Sequence, residues 1–134
     1  MSKSGDDIEA DFYLFFKQSQ LVSFIKGTLY REGNRPKDAD TEDAVVSFKT
    51  GLDGQFQDGE IVINVYVPNL NQGGVIKKDI TRCRQIGNLI MQIVKSFTDS
   101  EYLIYLINIP QSFESEDIQQ HFVNARIGFE RYSE

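Results

Sequence analysis

The chain has 134 residues, enough for one domain of ordinary size, and its 40% hydrophobic and 25% charged residues place it among globular proteins rather than disordered or fibrous ones. Twenty Asp and Glu against 14 Lys and Arg leave a formal charge of -6, which argues against a general nucleic-acid binder, because counterion release from phosphates needs clustered positive charge. The single cysteine, Cys83, cannot form an internal disulfide, no Cys/His spacing suits zinc, and no apolar run approaches the ~18–20 residues that cross a bilayer.

The first eleven residues are polar and acidic, without the basic start and apolar run of a signal peptide, so the expectation is a soluble intracellular protein with a flexible lead over residues 1–6. Asp6 and Asp7 offer an N-cap, and Ile8, Phe12, Phe15 and Phe16 fall at helical spacing, which predicts an amphipathic helix over residues 7–17. Ser19 supplies a second cap ahead of Leu21, Val22, Phe24 and Ile25, with Gly27 as a helix stop and a short extended piece over 28–30. Residues 31–43 lose apolar character and contain Gly33, Asn34 and Pro36, which reads as an exposed loop long enough to be functional.

Residues 44–48 and 60–67 are rich in β-branched side chains, and the second run alternates Ile61, Ile63, Val65 and Val67 against Val62, Asn64 and Tyr66. They should pair as a hairpin through Asp53-Gly54 or Asp58-Gly59; either pair suits a tight turn. Pro68 cannot donate to a ladder and Gly73-Gly74 follows, so a flexible loop leads on. From residue 76 to 97 an apolar stripe of helical period (Ile76, Ile80, Cys83, Ile86, Ile90, Val94, Phe97) predicts a long helix whose opposite face carries Lys77, Lys78, Arg82, Arg84 and Lys95. Residues 102–109 are apolar on both faces, as in a central or doubly covered strand. An acidic connector follows at 114–117, and 122–132 alternates as a closing half-buried strand.

The expected plan is a single α+β domain of two layers over residues 1–134, an antiparallel-rich four-stranded sheet with helices packed on one face in the order α-β-β-α-β-β. Chemistry-bearing constellations are sparse. Asp58 and Glu60 resemble part of a metal-nuclease motif, but position 62, where the base would stand, is Val. His121 has no Ser or Cys near it in a nucleophile pattern, Cys83 lies on an apolar stripe, and Gly51, Gly54 and Gly59 serve turns rather than a phosphate loop. The expectation is therefore a protein that is not an enzyme, with no cofactor and no metal. The basic face of the long helix reads as a solvated face that could also meet an acidic partner.

The strings FKQSQLVSFIKGTLYREGNRP, TEDAVVSF and IVINVYVP resemble the small tail-completion or tail-terminator proteins of long-tailed bacteriophages and prophages. The resemblance is carried by Ile25, Gly27 and Tyr30, by Arg35-Pro36, and by the acidic pair Glu42-Asp43 opening a valine-rich strand. It implies a structural assembly protein of the virion tail or neck, built in the bacterial cytoplasm. Its copies would form a homo-oligomeric ring, expected as a hexamer, that caps the tail tube, ends its polymerisation and joins it to the head. The implied partners are other copies of itself, the tail tube protein and the head-tail connector, with no membrane and no direct sequence-specific nucleic-acid contact. Loops at 31–42, 51–59 and 68–75 are the expected contact elements, and Arg35, Asp43, Lys77, Lys78 and Arg82 the charged candidates for partner contact. Two other readings fit the same residues, a head-to-tail connector or stopper of the neck and a stand-alone dimeric protein-binding domain.

Overall fold

The computed structural model describes residues 1–116 and 118–132; the part of the expected acidic connector at Asp117 lies outside them. In chain order it contains α1 (Gly5–Lys17), α2 (Gln20–Phe24), β1 (Leu29–Arg31), β2 (Ala44–Leu52), β3 (Phe56–Pro68), β4 (Leu70–Gln72), β5 (Val75–Lys77), α3 (Ile80–Ser96), β6 (Tyr102–Leu106), β7 (Gln111–Ser115) and β8 (Gln120–Tyr132). The α+β plan holds, but the main sheet has six strands rather than four, and β4 with β5 makes a separate hairpin.

Strands β3 and β8 form the spine, paired antiparallel from Phe56↔Tyr132 to Pro68↔Gln120. On one side β2 pairs with β3 and β1 runs parallel to β2; on the other, β6 and β7 share the same edge of β8, at residues 127–131 and 120–124. The sheet is therefore mixed. Side chains on alternate positions of a strand face opposite ways, so Ile61, Ile63, Val65 and Val67 with Val123, Ala125, Ile127 and Phe129 turn to one face, and all are buried. Onto that face α1 presents Ile8, Phe12 and Phe16 and α3 presents Cys83, Ile86, Ile90 and Val94, making one continuous core. No helix among the described residues covers the other face.

Local chemistry explains where the elements start. The N-cap of α1 is Ser4, ahead of the expected Asp6 and Asp7: its hydroxyl accepts from the Asp7 N–H and the Asp7 carboxylate accepts back from the Ser4 N–H, a reciprocal capping box that satisfies two orphan donors. Of the lead expected to be flexible over residues 1–6, Gly5 and Asp6 already belong to α1 and residues 1–4 make further contacts, with Lys3 N–H donating to Gln57 Oε1 and Arg131 donating to the Met1 carbonyl. Helix α3 begins at Ile80 instead of residue 76, because Asp79 caps it by accepting from the Arg82 N–H and Ile76 belongs to β5. The β2–β3 turn falls at Gly54, whose φ of +156° suits glycine, and Gly59 lies within β3 opposite Gly51.

The strand expected to be central or covered on both sides, at 102–109, is β6 at the sheet's edge, and only residues 102–106 are extended in the ladder. Tyr102, Ile104 and Leu106 pack inward, whereas Leu103 and Tyr105 face out and are exposed. Its apolar character on both faces therefore reflects burial on one side only. The acidic stretch read as a connector takes in the last two residues of β7, Glu114 and Ser115, a strand whose alternating Ser112 and Glu114 against Gln111, Phe113 and Ser115 carries too little β-branched character to announce itself.

Candidate functional site

Gly27, Arg35, Glu42 and Asp43 converge on one clasp beneath the loop 32–43. Asp43 is buried, 1% exposed, and its carboxylate accepts from the Thr28 N–H at 2.8 Å, the Thr41 hydroxyl at 2.6 Å and Arg35 Nε at 3.0 Å. Arg35 also donates to the Thr41 carbonyl and to Gln120 Oε1, each at 3.0 Å, and its guanidinium lies 4.1 Å from the Tyr66 ring centroid. Next to it Glu42 accepts from the Lys26 N–H at 3.1 Å and from Arg82 through both oxygens at 2.8 and 2.7 Å; Arg82 further donates to the Phe24 carbonyl and stacks on the Phe24 ring. A bidentate, stacked guanidinium of this kind is held in one geometry.

Gly27 is the close approach that lets the clasp shut. Its N–H donates to the Glu42 carbonyl at 2.8 Å, and a Cβ there would stand 2.1 Å from Asp43 Oδ1 and 2.5 Å from the Glu42 carbonyl oxygen. The glycine expected as a helix stop is thus required by contact, while the α2 helix ends at Phe24 with Ile25 as its C-cap. Of the five charged candidates, Arg35, Asp43 and Arg82 are brought together in this intramolecular network. Lys77 and Lys78 are not: they lie at the end of β5 and just beyond it, on the other side of Asp79, and neither forms an ion pair among the described residues.

A second polar cluster, invisible in the sequence because it depends on β6 meeting β8, pins the start of the chain. Lys3 Nζ reaches Asp11 at 2.7 Å and Glu101 at 2.9 Å, the Tyr102 hydroxyl donates to Asp11 at 2.7 Å, and Arg131 pairs with Glu101 while donating to Gln57 Oε1. Burial, then the bond to Asp11, pushes the Tyr102 phenol well above its usual value. No buried side-chain N or O among the described residues lacks a hydrogen-bond partner, so neither cluster leaves a polar group aimed at a ligand.

The remaining candidates have structural settings. Cys83 is buried in the core, where burial raises its thiol pKa and disfavours the thiolate. His121 Nδ1 lies 2.7 Å from Asn69 Oδ1, joining β8 to the residue before β4. Glu60 is held by Arg126 at 2.5 and 3.0 Å, and that bond lowers its carboxyl pKa. Among the described residues no group of three or more His, Cys, Asp and Glu could hold a metal ion, and no helix is long and apolar enough to cross a membrane.

What stands out is the sheet face that no helix covers among the described residues; Val45, Ser47 and Val62 on it are buried, and its exposed groups lie nearer β6, β7 and the far end of β3 and β8. Arg35, Tyr66, Phe122 and Phe113 form a row across it, with ring centroids 5.6 Å apart for Tyr66 and Phe122 and 5.7 Å for Phe122 and Phe113. The hydrogen bond from the Asn124 side-chain amide to Asn64 Oδ1 and the Glu60–Arg126 pair lie further along, followed by exposed Leu103 and Tyr105 of β6. Tyr105 lies over Gly128, where a Cβ would meet its ring at 2.3 Å. At the far end Phe56 and Tyr132 stack edge to face at 5.2 Å, both substantially exposed. Beyond the sheet, the β4–β5 hairpin shows Leu70, Val75 and Ile76 to solvent. Apolar groups gathered in this way mark interaction surfaces more than a scattered leucine does. The outer edge of β6 is paired with no strand among the described residues, which leaves backbone donors and acceptors open to another chain. In comparisons with known proteins, the chain matches no family model and no curated relative.

Proposed function

We propose that the protein is a non-catalytic, self-assembling structural protein of the tail-terminator type, whose copies form a ring that caps a phage or prophage tail tube and joins it to the head. The observation that carries the reading is the uncovered sheet face, which keeps Phe113, Tyr105, Leu103, Phe56 and Tyr132 exposed beside an unpaired strand edge. A second copy of the chain is the occupant this surface fits best, because a mixed face of aromatic, amide and paired charged groups is complementary to elements that the same chain also exposes. The resemblance adds weight in one respect. Gly27, Arg35, Glu42 and Asp43, which carry its strings, meet in a single clasp, so their spacing has one physical cause.

A ring needs heterologous contacts that close around an axis. Light scattering across protein concentration and salt, with negative-stain imaging of the same sample, is the direct test. Closed rings, expected as hexamers, support the reading; a monomer at every concentration, or a twofold dimer only, overturns it. The unpaired β6 edge favours the dimeric binding domain as the second reading, since two such edges can pair about a twofold axis.

A further inference from the structure

We propose that neighbouring copies are joined by the β4–β5 hairpin of one copy lying on the acidic far end of the next copy's open sheet face. The proposal rests on the self-assembly reading above and names the contact it would use.

The hairpin is a built element. Leu70 to Gln72 pair with Val75 to Lys77, and the two-residue turn Gly73-Gly74 has φ of +62° and +86°, the left-handed pair that suits the twist of flanking strands. Residues 69–78 contain Lys77 and Lys78 and no Asp or Glu. The hairpin thus presents two cations beside Val75 and Ile76, which are 52% and 43% exposed. On its own chain Lys78 borders a groove that Glu114 and Glu116 also line, and it forms no ion pair among the described residues.

The far end of the open face is its complement. Leu52, Asp58, Glu130 and Leu103 lie side by side on β2, β3, β8 and β6, through the pairs Leu52↔Asp58, Asp58↔Glu130 and Leu103↔Glu130. Two carboxylates directly opposite on adjacent strands repel, and neither is in an ion pair among the described residues. On the same face Arg126 is engaged by Glu60, on which Lys49 also acts. Leu52 and Leu103, 72% and 61% exposed, flank the acids as Val75 and Ile76 flank the lysines.

The two surfaces cannot meet within one chain. The hairpin follows Pro68, at one end of β3, and Asp58 stands two residues from the other end; a 13-residue strand separates its ends by roughly 40 Å. Between copies they can meet, and the contact removes a like-charge repulsion while it buries apolar groups on both partners.

The test uses the full chain in four forms: wild type, Lys77→Glu with Lys78→Glu, Asp58→Lys with Glu130→Lys, and all four together, each measured by sedimentation velocity alongside a thermal melt. Each reversed pair should weaken association at least about tenfold, which corresponds to about 1.4 kcal/mol, with the melt of the monomer unchanged, and the fourfold variant should recover to within about threefold of wild type. An assembling wild type whose reversals change nothing, or are not rescued by the swap, overturns the hairpin contact and leaves self-assembly standing. Reversal and rescue on a twofold dimer support the contact and overturn the ring. A wild type that stays monomeric throughout overturns both.

Discussion

At the scale of single residues, Asp43 is the clearest case of a group that looks like a surface contact in the sequence and is a structural anchor in the fold. It follows a loop of charged residues, yet it is 1% exposed and satisfies a backbone N–H, a hydroxyl and a guanidinium at once. Removing one partner of a buried pair strands the other, at about 3–5 kcal/mol. Asp43→Ala is therefore expected to lower the melting temperature by roughly 10–15 °C in a chain of this size, read by thermal melts of dilute protein; a shift of under about 3 °C would count against the clasp. Glu60 supports a prediction of opposite kind, about pH. The bond to Arg126 holds its folded pKa below the ordinary 4.5. A depressed carboxylate contributes stability above its unfolded pKa, and that contribution is lost as the pH falls through the folded value. Arg126→Met should move the Glu60 titration upward and flatten the dependence of stability on pH below about 4.5, which side-chain NMR titration and urea melts across pH would record.

At the scale of elements, what the sequence makes legible tracks how completely each element is explained by one buried face. Helix α3 and strands β3 and β8 each have a single inward stripe, Ile86-Ile90-Val94, Ile61-Ile63-Val65 and Ala125-Ile127-Phe129, and their periodicity predicts them. Elements whose residues answer to tertiary contact are less legible. Strand β6 is apolar on both sides but lies at an edge, because Leu103 and Tyr105 remain uncovered while Tyr102 and Ile104 are in the core. Strand β7 is polar because its ladder partner does the work of holding it and only Phe113 has a large side chain to pack, against Phe122. The Gly73-Gly74 stretch reads as a flexible loop, since paired glycines mark a turn without saying whether three-residue strands flank it. The clasp was half legible. Gly27, Arg35, Glu42 and Asp43 stood out by pattern, but that they bond to one another, and that Arg82 joins them from 40 residues away, depends on the parallel β1–β2 pairing, which no local signal announces.

At the scale of the whole molecule, the groups that hold the fold and the groups that remain exposed occupy different places. The core, the clasp and the N-terminal cluster lie on the helix side or beneath the loop 32–43, with their buried polar atoms satisfied. The hairpin stands apart: Leu70, Asn71, Gln72, Val75, Ile76 and Lys77 are all exposed, and β4 and β5 pair with each other alone. Its side chains therefore add little to burial on folding, and the hydrophobic contribution, about 25 cal/mol per Å2 of apolar area removed from water, comes from elsewhere. If the hairpin serves assembly, folding and association should be separable. Replacing residues 70–77 with a short Gly-Ser turn, which keeps Asn69 and its bond to His121, is expected to leave the far-ultraviolet spectrum and the melting temperature of the monomer within about 3 °C of wild type, because surface changes are usually within about 0.5 kcal/mol. Association should fall below detection at the same concentration. Raising salt should weaken wild-type association, since the Debye length shortens from about 8 Å at physiological ionic strength to about 3 Å at 1 M. A replaced chain that still assembles would shift the interface to the β6 edge, whereas one that fails to fold would place the hairpin inside the folding unit and contradict the separation of folding and association surfaces.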